Sequence, residues 1–128
     1  MTEARGKCER LVLVVDDDAS IREAMVDLLG EEGYRVETAG NGAEALDTLR
    51  QPNRLRPCVI LLDLMMPVMN GQQFYWEQQR DPELSAIPIV VISADAQALQ
   101  KSPAFGGEYL SKPVRLATVL DVVERHCA

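Results

Sequence analysis

The chain has 128 residues, of which 47% are hydrophobic and 26% charged, enough to bury one core and too few for two sizeable domains. Its net charge of −7 excludes the broad basic footprint that nucleic acid or an anionic membrane surface requires. No apolar run has the length of a bilayer span, and the opening MTEARGKCER has no apolar signal core, so the expected location is the cytoplasm.

Residues 1–9 read as an N-terminal extension, and residues 10–127 as one domain. Leu11–Val15 is a continuous apolar, β-branched run, as expected of a strand buried on both faces. SIREAMVDLLGEEG follows as a helix, with Ser20 and Glu23 in a capping-box pattern. Ile21, Ala24, Met25, Leu28 and Leu29 share one face of it, and Gly33 is its stop signal. Residues 34–38 alternate apolar and polar, which suits a strand nearer an edge. GNGAEALDTLR reads as a second helix, with Asn41 as cap and Ala45, Leu46 and Leu49 buried. QPNRLRP is a loop.

Cys58–Leu62 is the next apolar strand and runs into Asp63, followed by the turn-rich LMMPVMNG. Residues 72–80 read as a weakly amphipathic helix. Its neighbouring aromatic residues cannot all face one side: Phe74 and Tyr75 are assigned to the core and Trp76 to the surface. Ile87–Ile92 is another apolar strand, ending at Ser93. Residues 95–101 suggest a short helix, broken by Pro103, Gly106 and Gly107. Glu108–Ser111 is a short strand ending at Lys112–Pro113, and Leu116, Val119, Leu120 and Val123 mark a final amphipathic helix. This alternation predicts an α/β fold, a three-layer, doubly wound parallel sheet with right-handed crossovers.

The three cysteines, Cys8, Cys58 and Cys127, do not have zinc-ligand spacing. Cys58 is expected to be a small core residue, and His126 a solvated one. The chemistry collects instead where apolar strands end in polar residues: Asp16 and Asp17, Asp63, Ser93 and Lys112. In a parallel sheet these ends share the edge where open α/β folds bind ligands. Carboxylates gathered there are all oxygen ligands and suit a hard ion such as Mg²⁺. A carboxylate beside the metal can act as nucleophile toward a phosphoryl group, with a lysine and a hydroxyl to stabilise the charge in transfer.

VVDDD, LLDLMMPVMNG, VISA and YLSKP, in this order and spacing, resemble the motifs of the response-regulator receiver domain over about residues 10–127. The resemblance implies a flavodoxin-like (βα)5 fold with strand order 2-1-3-4-5. It implies phosphorylation of Asp63 by a histidine kinase or a histidine phosphotransfer protein, with Mg²⁺ held by Asp16, Asp17, Asp63 and the backbone carbonyl of Met65. Ser93 and Lys112 would contact the phosphoryl group, Ser93 and Tyr109 would form the switch, and the Lys112–Pro113 bond would be cis. Pro67 and Gly71 would shape the loop after the acceptor. Asp18 is left as a solvated or helix-start residue. The signal would leave through a downstream protein on the face of the fourth helix, fifth strand and fifth helix. Neither nucleic acid nor a membrane is expected as a partner, and no output domain is expected.

Three departures stand out. Met65 is apolar where many relatives are polar, the stretch from Ser93 to Lys112 is short, and Val114 stands where an aromatic residue is common. An alternative reading is a degenerate receiver that serves as a constitutive interaction module. The intact set of acids, Ser93 and Lys112 argues against it. A small Mg²⁺-dependent phosphohydrolase would need a proton-transferring group two residues after Asp63, and Met65 cannot move a proton. The chain is therefore expected to be a phosphoacceptor rather than an enzyme, beyond its own phosphorylation and dephosphorylation.

Overall fold

The structure is a computed structural model and describes residues 10–52, 56–63, 71–93 and 109–127. The elements are β1 (Leu11–Val15), α1 (Ala19–Glu31), β2 (Arg35–Ala39), α2 (Gly42–Leu49), β3 (Val59–Asp63), α3 (Gly71–Gln79), β4 (Ile89–Ser93), β5 (Tyr109–Ser111) and a C-terminal helix (Leu116–His126). The five strands form one sheet, ordered β2-β1-β3-β4-β5. Every neighbouring pair is parallel. This is the expected order, and it reverses between β1 and β3.

Side chains alternate across the sheet and divide the core in two. Val12, Val14, Val59, Leu61, Val90 and Ile92 face α1 and the C-terminal helix, where they pack with Met25, Leu29, Val119 and Val123. Leu13, Val15, Ile60 and Leu62 face the other way, onto Ala45, Leu46 and Phe74. β1 and β3 are buried along their whole length, which explains their unbroken apolar sequences. β2 lies at an edge and keeps a mixed pattern.

Several local expectations shift. The N-cap of α1 is Asp18, not Ser20, and its side chain accepts a hydrogen bond from the Ser20 N–H at 2.9 Å. Because the cap and the helix start lie two residues earlier, at Asp18 and Ala19, the Ser20–Glu23 pair falls inside the helix and cannot form the box. The expected stop at Gly33 has φ of 92°, a conformation glycine adopts without a Cβ penalty. Asn41 caps α2 as expected, through the Glu44 N–H at 2.9 Å.

β3 and β4 begin later than expected and include the polar residues at their ends, Asp63 and Ser93. Pro88 has no N–H for the ladder, so β4 begins after it. Phe74 is fully buried, Tyr75 half-buried, and Trp76 exposed beneath the Arg80 guanidinium, 4.4 Å from the ring centre. Gln78 is buried too, and its amide donates to the Leu84 and Ile87 carbonyls at 2.6 and 3.1 Å, closing the turn that leads into β4. His126 is half-buried rather than fully solvated.

Cys58 is not a free core thiol. It is bonded to Cys127, with Cα atoms 5.3 Å apart. The C-terminal helix runs back along the sheet and ends beside the start of β3, a meeting that sequence spacing does not reveal. Among the described residues, no helix is long and apolar enough to cross a membrane. The expected helix at 95–101, together with Met65, Pro67, Pro103, Gly106 and Gly107, lies outside the described residues.

Candidate functional site

The carboxyl ends of β1, β3 and β4 meet at one edge, beside the position where the strand order reverses. Asp63 is the last residue of β3, and it shares a face with Val59 and Leu61 by the strand's two-residue period. Asp16 follows β1 on the same face as Val12 and Val14. Both acids therefore project toward the α1 side, and both are buried, at 3% exposure each. Asp17 is exposed.

Local hydrogen bonds hold Asp16 in place. Its N–H donates to the Ala39 carbonyl at 3.1 Å, which extends the β1–β2 pairing by one step. Its Oδ1 accepts the Asp18 N–H at 2.9 Å. Its backbone carbonyl accepts the Arg22 guanidinium, through Nη1, at 2.6 Å. Arg22 is a positioning residue that sequence reasoning missed. The available signal was its place one turn into α1, where an arginine can reach back over the strand end.

Lys112 supplies the positive charge. Its Nζ lies 3.4 Å from Asp16 Oδ2 and 3.5 Å from Asp63 Oδ2, and its side chain is 22% exposed. Its backbone N–H donates to the Ser93 carbonyl at 2.9 Å, so the β4–β5 ladder sets the height from which the side chain reaches across. Burial lowers the pKa of the ammonium, but the charges of Asp16 and Asp63, with their hydrogen bonds, more than reverse this and hold it above the usual lysine value. Ser93, the last residue of β4, is fully buried. The Lys112–Pro113 peptide is cis, as expected.

One carboxylate oxygen from each of Asp16, Asp17 and Asp63 lies within 4.8 Å of the others. One ammonium against three carboxylates leaves the cluster net negative. An all-oxygen donor set of this size fits a hard divalent cation such as Mg²⁺, which binds one or two carboxylates and keeps part of its water shell. Met65, the remaining expected ligand, lies outside the described residues. Beside the carboxylates opens a cavity of about 550 Å³, walled by Ile21, Met25, Leu61, Ile92, Val114 and Leu116. Val114 contributes a small apolar side chain to that wall. Tyr109 stands apart: it is 59% exposed, whereas Asp16, Asp63 and Ser93 are buried. Of the residues expected at the site, the structure thus gathers Asp16, Asp17, Asp63 and Lys112, with Ser93 at the neighbouring strand end.

Residues 12–124 match the response regulator receiver domain family. The chain is 31% identical to Protein PilH of Pseudomonas aeruginosa, a match covering 88% of this chain and 93% of PilH. Among longer curated relatives, including DNA-binding response regulators, it spans only 34% to 46% of their length. Among solved structures, the chemotaxis response regulator CheY4 of Vibrio cholerae is 34% identical. It superposes with a TM-score of 0.80 over 91% of this chain and 97% of that one. The response regulator TrrA of Thermotoga maritima, solved in complex with Mg²⁺ and BeF, is 28% identical with a TM-score of 0.76. That match covers 91% of this chain and 97% of TrrA.

Proposed function

This chain belongs to the response regulator receiver domain family, and we propose that it accepts a phosphoryl group on Asp63 from a phosphohistidine of a kinase or phosphotransfer protein. The observation that carries this is the position of Asp63: a buried carboxylate at a strand end, 3.5 Å from an ammonium and beside two further carboxylates. An Asp63 carboxylate oxygen attacks phosphorus, the P–N bond breaks, and the donor imidazole leaves with the electron pair. Lys112 moves from its shared contact with Asp16 and Asp63 onto a phosphoryl oxygen. The Ser93 hydroxyl donates a hydrogen bond to another. Asp16, Asp17, Asp63 and the Met65 carbonyl would hold Mg²⁺, which would supply charge neutralisation for the transferring group.

Tyr109, now exposed, turns inward as Ser93 is drawn to the phosphoryl group, and a downstream protein reads the change on the face that includes β5 and the C-terminal helix. The protein works in the cytoplasm, with residues 10–127 as its receiver, and catalyses nothing beyond its own phosphorylation and dephosphorylation. The relatives support this reading, TrrA because it has been solved with Mg²⁺ and BeF.

The test is intact mass after incubation with a small-molecule phosphodonor and Mg²⁺. One added phosphoryl group, absent in Asp63→Asn and absent without Mg²⁺, is the expected result. Phosphorylation that persists in Asp63→Asn would refute the assignment. If wild type gains no phosphoryl group and binds no BeF₃⁻ with Mg²⁺, the chain is an interaction module instead.

A further inference from the structure

The other edge of the sheet carries a second reactive pair. Cys58 immediately precedes β3, and Cys127 immediately follows the C-terminal helix. Their bond closes a loop with a sequence separation of 69. Asp63, Ser93 and Lys112 lie inside that loop, while Asp16 and Asp17 lie outside it. The bond therefore ties the start of the strand that ends in Asp63 to the end of the helix that begins just after Lys112.

We propose that Cys58 and Cys127 are a reversible redox site, which pins the end of the C-terminal helix to the sheet when oxidised and releases its last turn when reduced. Three observations carry this. Cys58 is half-buried whereas Cys127 is 4% exposed, which makes Cys58 the more accessible residue of the pair and Cys127 the sheltered, resolving one. The reduced state also has a place ready for its thiol: Cys58 Sγ lies 3.3 Å from the Leu11 carbonyl oxygen, to which a thiol there donates. Finally, Cys127 is the C-cap, with its N–H donating to the Val123 carbonyl at 2.9 Å, while Val119, Val122 and Val123, earlier in the helix, are buried in the core against the β-strand residues Val12, Val14, Val59 and Leu61. Cleaving the bond thus loosens one terminal turn, where opening costs least, and leaves the packed part of the helix in place.

The chemistry balances with a hydroperoxide as oxidant. The Cys58 thiolate attacks the peroxide oxygen, the O–O bond breaks, and a sulfenic acid forms as water or an alcohol leaves. The Cys127 thiol then attacks the sulfenic sulfur; an S–S bond forms, the S–O bond breaks, and water departs. Two thiols lose two electrons in all, and the peroxide gains them. A reducing dithiol reverses the change by attacking Cys58 Sγ, expelling Cys127 as a thiolate that takes up a proton. Its second thiol then frees Cys58.

The experiment uses the full chain, cycled between hydrogen peroxide and dithiothreitol without phosphodonor. The redox claim therefore stands or falls apart from the phosphorylation claim. After alkylation with iodoacetamide, the oxidised form should carry a label on Cys8 alone and yield a linked Cys58–Cys127 peptide. The reduced form should carry labels on all three cysteines, and the cycle should repeat. Hydrogen exchange at residues 124–127 should quicken about tenfold on reduction, with little change at Val119. Pairing of Cys8 with either residue, a bond that dithiothreitol cannot open in the folded chain, or unchanged exchange in the last turn would each overturn the proposal.

Discussion

Replacing Lys112 by methionine keeps most of the side-chain volume and removes a cation that touches both buried carboxylates. Asp16 and Asp63 are then left within 4.8 Å of one another, with Asp17 at the same distance or less. At an effective dielectric of about 20, two such charges repel by roughly 3 kcal/mol. Removing one partner of a well-buried ion pair costs about 3–5 kcal/mol. The lysine side chain is 22% exposed, so solvent screening places the expected loss near the lower bound, about 3 kcal/mol. A divalent cation relieves the same repulsion. Urea unfolding of wild type and Lys112→Met, each with EDTA and with millimolar Mg²⁺, separates the effects. The variant should be destabilised in EDTA and should recover more stability from Mg²⁺ than wild type does, because its cluster lacks a competing cation. Equal stability in EDTA, or a smaller gain from Mg²⁺ in the variant, would refute the electrostatic account of this site.

The pH dependence carries the same sign. Burial depresses the Lys112 ammonium, Asp16 and Asp63 more than offset it, and the folded value is raised. Its stabilising contribution is therefore complete below about pH 10.4, the unfolded lysine value, and is lost as pH climbs through the folded one. The stability gap between wild type and Lys112→Met should narrow above that pH in urea titrations. Asp18→Ala removes the α1 cap and should cost about 1 kcal/mol by the same assay, with Ser20→Ala close to neutral. Gln78→Leu removes the donor to the Ile87 carbonyl and one of two donors to the Leu84 carbonyl, which keeps the Ile87 N–H at 3.1 Å, and should cost about 2 kcal/mol; a neutral result would mean that the turn into β4 is held otherwise. In oxidised protein, Cys58→Ser with Cys127→Ser should cost about 4 kcal/mol, the chain-entropy value for so long a loop, and reduction of wild type should give a similar loss.

The sheet was legible because its central strands are covered on both faces. Leu11–Val15 and Val59–Asp63 leave no room for polar residues until the strand reaches the open edge, so the first acid after each apolar run marks that edge. Asp16, Asp63 and Ser93 could be placed for that reason, and the order of elements implied that the ends converge. What escaped was fixed by three-dimensional packing. The Cys58–Cys127 bond depends on where the C-terminal helix ends relative to β3, and spacing along a chain carries no such information. Serine and aspartate cap helices about equally well, so only the end point of β1 decides between Asp18 and Ser20. Arg22 acts through a backbone carbonyl, so its place one turn into α1 is the only trace that the sequence carries of it.

Three consecutive aspartates would repel one another in a simple turn, and here each has a different environment. Asp16 is the last residue whose backbone pairs with β2, which buries its side chain against Lys112. Asp18 is the first residue tied to α1, and its carboxylate sits at the positive end of the helix dipole. Asp17 lies between a strand that has ended and a helix that has not begun; like Asp18 it is exposed, but its carboxylate neither caps the helix nor pairs with Lys112. Structural demand therefore explains Asp18 and partly explains Asp16. It leaves Asp17 unexplained unless something positive joins the cluster. Substituting Asp17 by asparagine should accordingly leave stability in EDTA within about 0.5 kcal/mol of wild type and weaken the Mg²⁺-dependent gain, whereas a structural role would produce the opposite pair of results.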